Sequence, residues 1–178
     1  MRYAKIERID AANGPGIRVS LFVQGCRKHC DKCFNPETWD FNGGFLYTKE
    51  IEDTLIEWLA PVYIDGLSLL GGDPTEPENI GPLIPLMKRA KELYPNKTIW
   101  IYSGDVLENL EKREVSEKEP YLKDMLDYCD VLVDGPFIQS LKNLKLRHRG
   151  SENQRVIDMK LSRNRKQGEK PTILKGWE

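Results

Sequence analysis

Apolar and polar positions along this chain follow two periods that take turns. Ile17, Val19, Leu21 and Val23 alternate with Arg18, Ser20 and Phe22, the period-two signature of a strand. From Thr48 to Leu59, the residues Ile51, Leu55, Trp58 and Leu59 fall on one helical stripe, with Thr48 placed to cap its N-terminus. The apolar run Leu67–Leu70 stops at Gly71-Gly72 and reads as a buried strand ending in a turn. The next helix is expected to carry Pro82 and Pro85 in its first turn, where a missing N–H is harmless, and to run to about Tyr94. Thr98 to Tyr102 predicts another strand, followed by Ser103-Gly104-Asp105 and a short helix through Leu110. Tyr121, Leu122, Met125, Leu126 and Cys129 form a further helical stripe. Val131 to Val133 is a strand that stops at Asp134-Gly135-Pro136, and a last strand is placed near Arg155 to Met159.

Strands separated by helices imply βαβ units and a compact parallel sheet in an α/β fold. In such folds the chemistry collects at the carboxyl ends of the strands. The turns after Val23, Leu70, Tyr102 and Val133 would then gather at one edge. Those turns hold a cysteine cluster, Gly71-Gly72-Asp73 and Ser103-Gly104-Asp105.

Length and charge narrow the classes. The 178 residues suit one domain with a real core. Lys+Arg of 27 against Asp+Glu of 28 leaves −1, so no whole-chain field points to nucleic acid or an acidic membrane surface. No apolar run approaches the length of a membrane span. Met1 to Asp10 alternates charged and apolar residues, unlike a signal peptide, and the expected location is the cytoplasm. Lys160, Arg163, Arg165, Lys166 and Lys170 stand against one acid, Glu169. The segment 161–178 is therefore expected to be a basic, flexible tail beyond a 1–160 domain.

The cysteines change the picture most. Three of the four lie in Cys26-Arg27-Lys28-His29-Cys30-Asp31-Lys32-Cys33, the spacing C-x3-C-x2-C, and a reducing compartment disfavours disulfides among them. A loop this compact can turn three thiolates to one centre. Three thiolates on a [4Fe–4S] cube leave one iron open to a second ligand, which a four-cysteine electron carrier cannot offer. The alternative is a zinc site with His29 as fourth ligand, but adjacent residues rarely both reach one tetrahedral ion, and no second two-ligand hairpin is present. Cys129 lies on a helical stripe and reads as a small core residue.

C-x3-C-x2-C after a first strand, with a Gly-Gly-acid turn after a second, resembles the radical S-adenosylmethionine (SAM) family. The resemblance implies a partial (β/α) barrel with helices on the outer face. It implies a cluster on Cys26, Cys30 and Cys33, and SAM chelated to the open iron and cleaved reductively to methionine and a deoxyadenosyl radical. No catalytic side chain is implied beyond these cofactors. SAM contacts are expected from Gly71, Gly72, Asp73 at the amino group, and Ser103. Asp73 stands where many members have Glu. Lys32 departs from an aromatic residue frequent before the third cysteine, so Lys32 and Cys33 are left with backbone contacts to the adenine, and Phe34 is expected to supply apolar surface.

Asn13-Gly14-Pro15-Gly16-Ile17-Arg18 resembles a segment of the activating enzymes of glycyl-radical proteins. With Asp130–Phe137 and Arg149–Arg155, it makes the chain similar to activators of anaerobic ribonucleoside-triphosphate reductase. The implied reaction is hydrogen abstraction from a glycine Cα of the reductase, with reduced flavodoxin or a similar protein as electron donor. Activation of another glycyl-radical enzyme, of the pyruvate formate-lyase type, is the nearest alternative. Leu141 to Arg149, with Lys142, Lys145, Arg147 and His148 among leucines, reads as a docking surface, a nucleic-acid contact or a solvated loop.

Overall fold

A computed structural model describes residues 1–166 and 168–178. Seven strands form one sheet: β1 (Arg2–Asp10), β2 (Arg18–Val23), β3 (Phe45–Leu46), β4 (Gly66–Gly71), β5 (Thr98–Tyr102), β6 (Val131–Asp134) and β7 (Arg155–Asp158). Their order is β3-β1-β2-β4-β5-β6-β7, and the sheet is open. Only β2, β4, β5 and β6 are mutually parallel. β1 and β3 on one side and β7 on the other run antiparallel, so the sheet is mixed, where the sequence pattern implied a parallel one. β1 escaped the pattern because its alternating side chains are mostly half-exposed, as on an edge strand with little to bury.

The helices are α1 (Lys49–Leu59), α2 (Pro77–Leu93), α3 (Leu107–Glu114), α4 (Leu122–Tyr128) and α5 (Met159–Arg163). Thr48 sits at the N-cap of α1 but makes no side-chain cap bond. In α2 the first-turn proline is Pro77, not Pro82 or Pro85, which lie inside the helix. Each interior proline removes one i→i−4 bond. Pro85 is exposed and Pro82 half-buried, so the carbonyls they free lie toward solvent rather than in the core.

Strand periodicity divides the sheet into two faces. Val19, Leu21, Val23, Leu67, Leu69, Ile99, Ile101 and Leu132 share one core with Leu55, Leu59, Leu83, Leu86, Met125 and Leu126 of the helices. The opposite face carries three levels by register. Phe22, Leu70, Tyr102 and Val133 lie nearest the strand ends, with Ser20, Ser68, Trp100 and Val131 beneath them. At the lowest level Arg18 is fully buried, bonding Ser68 Oγ, Thr98 Oγ1 and the carbonyls of Leu67 and Thr98. Burial of this guanidinium pulls its pKa down, to about 10.

Part of the segment expected to be a free tail lies against this framework. Leu174 N donates to Val156 O at 2.8 Å, Ile173 bridges Ile157, and Trp177 packs 6.0 Å from Trp100. Two of its basic residues are also paired: Arg163 with Glu114 and Asp127, and Arg165 with Glu111.

Candidate functional site

The cysteine loop leaves β2 at Gln24 and is closed at its neck by two main-chain bonds, Gly25 N to Thr38 O (2.8 Å) and Cys26 N to Trp39 O (3.2 Å). Gly25 adopts φ +97°, and a Cβ there would come within 2.3 Å of the Phe41 ring. Inside the loop His29 and Lys32 are also left-handed, at +46° and +55°. The turn at Lys32 brings Cys33 N to Cys30 O at 3.1 Å. Outside the neck Asn79 Nδ2 donates to both Gln24 O and Asp73 O at 3.0 Å, tying the loop's root to α2. Arg27 lies over the Phe41 ring and pairs with Glu76 and Glu78.

Cys26, Cys30 and Cys33 are half-buried free thiols, and all three line one cavity of about 730 Å³ at the carboxyl ends of the strands. Gly71, Gly72, Ser103 and Phe34 line it too. Gly71, at φ +102°, lies so close to β2 that a Cβ would meet Phe22 Cα and Val23 N at 2.8 Å. A Cβ on Gly72 would meet Gly25 O at 2.5 Å, which packs the Gly-Gly turn against the root of the cysteine loop.

Two expected residues stand apart from this cavity. Lys32 is exposed and does not line it. Asp73 is 3 % exposed and faces a neighbouring pocket. Its Oδ1 accepts from Thr75 N (2.9 Å) and Thr75 Oγ1 (2.6 Å), and its Oδ2 accepts from Gly104 N (2.9 Å). Burial pushes the Asp73 carboxyl up, against the lowering effect of those bonds. Asp73 thus joins the turn after β4 to the turn after β5.

The donors fit an iron–sulfur cube better than a single ion. Asn35 N points at Cys33 Sγ at 3.4 Å, the kind of N–H···S contact that supports a thiolate. Among the described residues no three Cys, His, Asp or Glu side chains converge closely enough for one metal ion. A cube takes each thiolate on a separate iron and keeps them apart. His29, the proposed zinc ligand, stacks on Trp39 at 4.6 Å. Burial pushes the Cys26 thiol up to about 11, so metal loading there must displace a proton. Cys129 is buried, donates to Val131 O at 3.2 Å and lies in the helix-side core.

Sequence reasoning missed the cavity's other wall. Phe137, Leu144, Leu146, His148 and Gly150 line it, from the segment between β6 and β7. Phe34 joins the two walls, 5.0 Å from Phe137, and a Cβ on Gly150 would come within 2.7 Å of its ring. The Asp130–Phe137 and Arg149–Arg155 segments hold this wall in place. Gln154 Oε1 accepts from Gly150 N, Gln154 Nε2 donates to Gly135 O, and Asn153 Nδ2 donates to Pro136 O. Arg155 pairs with the buried Asp134 and with Glu108. The signals for this wall in the sequence were the mixture of leucines and basic residues from 141 to 149 and the flanking segments Asp130–Phe137 and Arg149–Arg155.

Comparison with known proteins agrees with this geometry. Residues 12–157 match the model of the 4Fe-4S single cluster domain. The chain is 40% identical over 158 residues to the anaerobic ribonucleoside-triphosphate reductase-activating protein of Salmonella typhimurium, covering 88% of this chain and 97% of that one. It is 42% identical over 156 residues to the protein of the same name from Vibrio cholerae, covering 86% and 96%. The counterpart from Enterobacteria phage T4 is 39% identical over 156 residues, covering 88% and 93%. With a cysteine-lined cavity at the strand ends and this likeness along most of its length, the chain belongs to the family of anaerobic ribonucleoside-triphosphate reductase-activating proteins.

Proposed function

We propose that this chain installs a glycyl radical on an anaerobic ribonucleoside-triphosphate reductase, with Cys26, Cys30 and Cys33 holding a [4Fe–4S] cluster and SAM bound beside it. The observation that carries the reading is three free thiols and the Gly71-Gly72 turn on one cavity, in a chain of this family. When bound, the cluster supplies one electron to split a carbon–sulfur bond of SAM, and the resulting radical takes hydrogen from a glycine.

The chain's own residues orient and shield. Gly71 and Gly72 carry no side chain, so a ligand in the cavity meets their main chain directly. Ser103 forms the rim beyond them, and Phe34 offers an apolar face to the adenine beside a backbone contact at Cys33. Asp73 acts from behind, holding both turns in register. The Phe137–Gly150 wall forms the partner-facing side of the cavity. The open sheet reads as part of a radical SAM barrel whose missing side admits the reductase. The exposed Lys142, Lys145 and Arg147 lie at that opening and suit an acidic partner surface. Reduced flavodoxin or a similar protein supplies the electron. Among the described residues no helix is long and apolar enough to cross a membrane, and we place the reaction in the cytoplasm.

The test is anaerobic reconstitution with iron and sulfide, reduction, addition of SAM, and assay for deoxyadenosine with and without the reductase. Deoxyadenosine plus a glycyl-radical signal in electron paramagnetic resonance is the expected result. Deoxyadenosine with a radical formed only on a lyase would overturn the choice of target, and absence of deoxyadenosine would overturn the reaction.

A further inference from the structure

Trp177 lies outside the 12–157 span that matches the family model, yet it touches the cavity wall that sequence reasoning missed. Three consecutive residues of the segment that carries this wall meet it. The Arg147 guanidinium lies 4.5 Å over its ring, the His148 ring is 6.1 Å away, and Arg149 donates to its carbonyl oxygen at 3.1 Å. Trp177 is itself seated on the sheet through Trp100, which is 1 % exposed, and through the pairing of Leu174 with Val156 of β7.

The wall needs such a support. The 142–150 loop is closed at its neck by Asn143 N to Gly150 O, while Leu144 near its tip is 80 % exposed. His148 sits at φ +56°, an unfavourable backbone for a residue with a Cβ, and conformations of this kind persist where surrounding contacts hold them. Its Nδ1 lies 3.1 Å from Gly14 N and 3.0 Å from Ala12 O, so the same ring also joins the loop to the turn before β2. Among the described residues, the ring, cation–π and hydrogen-bond partners of Trp177 include none of the cysteines, Gly71, Gly72 or Ser103.

We propose that Trp177 is a positioning residue for the activating reaction: through Arg147, His148 and Arg149 it holds the 142–150 loop in the shape that receives the glycine-bearing segment of the reductase. This rests on the activating function proposed above and adds to it a determinant outside the family-matched region. The side of the cavity that binds cofactors is built without Trp177, and the side that faces the partner is built with it. Loss of Trp177 therefore loosens partner binding and leaves cofactor chemistry alone.

The experiment compares wild type, Trp177→Ala and Trp177→Phe as full-length chains. Glycyl-radical formation is measured against reductase concentration, deoxyadenosine formation without reductase, and hydrogen exchange over 142–150 in the metal-free chain. For Trp177→Ala the reductase concentration at half-maximal activation should rise about tenfold, from lost stacking and cation–π contact. Exchange of the loop amides should quicken, reductase-independent deoxyadenosine should stay within about twofold of wild type, and Trp177→Phe should restore most of the partner affinity. Unchanged loop exchange and half-saturation would overturn the proposal. So would deoxyadenosine and radical yields falling together, which marks a purely structural role. Should wild type make deoxyadenosine but no radical on the reductase, the activating reading fails by itself, and loop exchange still decides what Trp177 holds.

Discussion

Removing the Asp73 carboxylate tests whether this residue braces the site or touches the ligand. In Asp73→Ala the main-chain N–H groups of Thr75, which is buried, and of Gly104, which is half-buried, lose their acceptor. The Thr75 and Ser103 hydroxyls, already 2.7 Å apart, can satisfy each other. Two orphaned donors cost about 1–3 kcal/mol each, while relief of the buried charge offsets part of that. A net loss of about 2–4 kcal/mol follows. With a urea slope of about 1–3 kcal/mol per molar, the unfolding midpoint of the metal-free chain should fall by about 0.7 to 4 M. Circular dichroism in urea measures the loss, and SAM titration of the reconstituted variant, with iron counted, measures the consequence at the cavity. Weaker SAM binding together with reduced stability is expected, since Gly72 and Gly104 both move when their tie is cut. Full stability with SAM affinity lost would refute the bracing argument and make Asp73 a direct ligand.

Other outcomes follow from single contacts. Alanine at Cys26, Cys30 or Cys33 should each abolish SAM cleavage. Cys129→Ala should keep the iron and cleavage while lowering unfolding stability by about 1 kcal/mol, through loss of a buried sulfur; iron analysis and urea titration check both. Acid stability should depend on Glu108, whose carboxyl is drawn down to about 2 by hydrogen bonding to Arg155, from an ordinary 4.5. A depressed carboxyl contributes stability above its unfolded pKa and loses it as pH falls, here between about 4.5 and 2. Glu108→Gln should flatten that part of the pH–stability curve, and an unaltered slope would remove the pair from the account.

The parts of the molecule legible in the sequence are those where one local rule acts alone. The C-x3-C-x2-C spacing announced a cluster loop, and the apolar runs ending at Gly71 and at Tyr102 located strand ends that do line the cavity. Other features depend on tertiary context. RYAKIERID becomes β1 because β2 offers it an edge, and its half-exposed side chains leave no strong pattern. Pro82 and Pro85 obeyed a helix-start rule, but Pro77 starts α2, and packing of Ile80, Leu83 and Leu86 carries the helix through them. Asp73 lies in the turn where a SAM contact is expected, and the donors that hold its oxygens, on Thr75 and Gly104, come from two loops that no local pattern joins. Within the basic 160–170 stretch the pairing of Arg163 and Arg165 was not legible, because their acids, Glu111, Glu114 and Asp127, lie far off in sequence.

The two main-chain bonds at the neck of the cysteine loop have a thermodynamic consequence. By joining Gly25 to Thr38 and Cys26 to Trp39, they close a ring that contains all three thiols. The loop-closure entropy of gathering three ligands is then part of folding the sheet, and little of it remains for metal binding to supply. Metal retention and global folding become linked equilibria: whatever frays the ring lowers metal affinity, and bound metal raises the melting temperature in return.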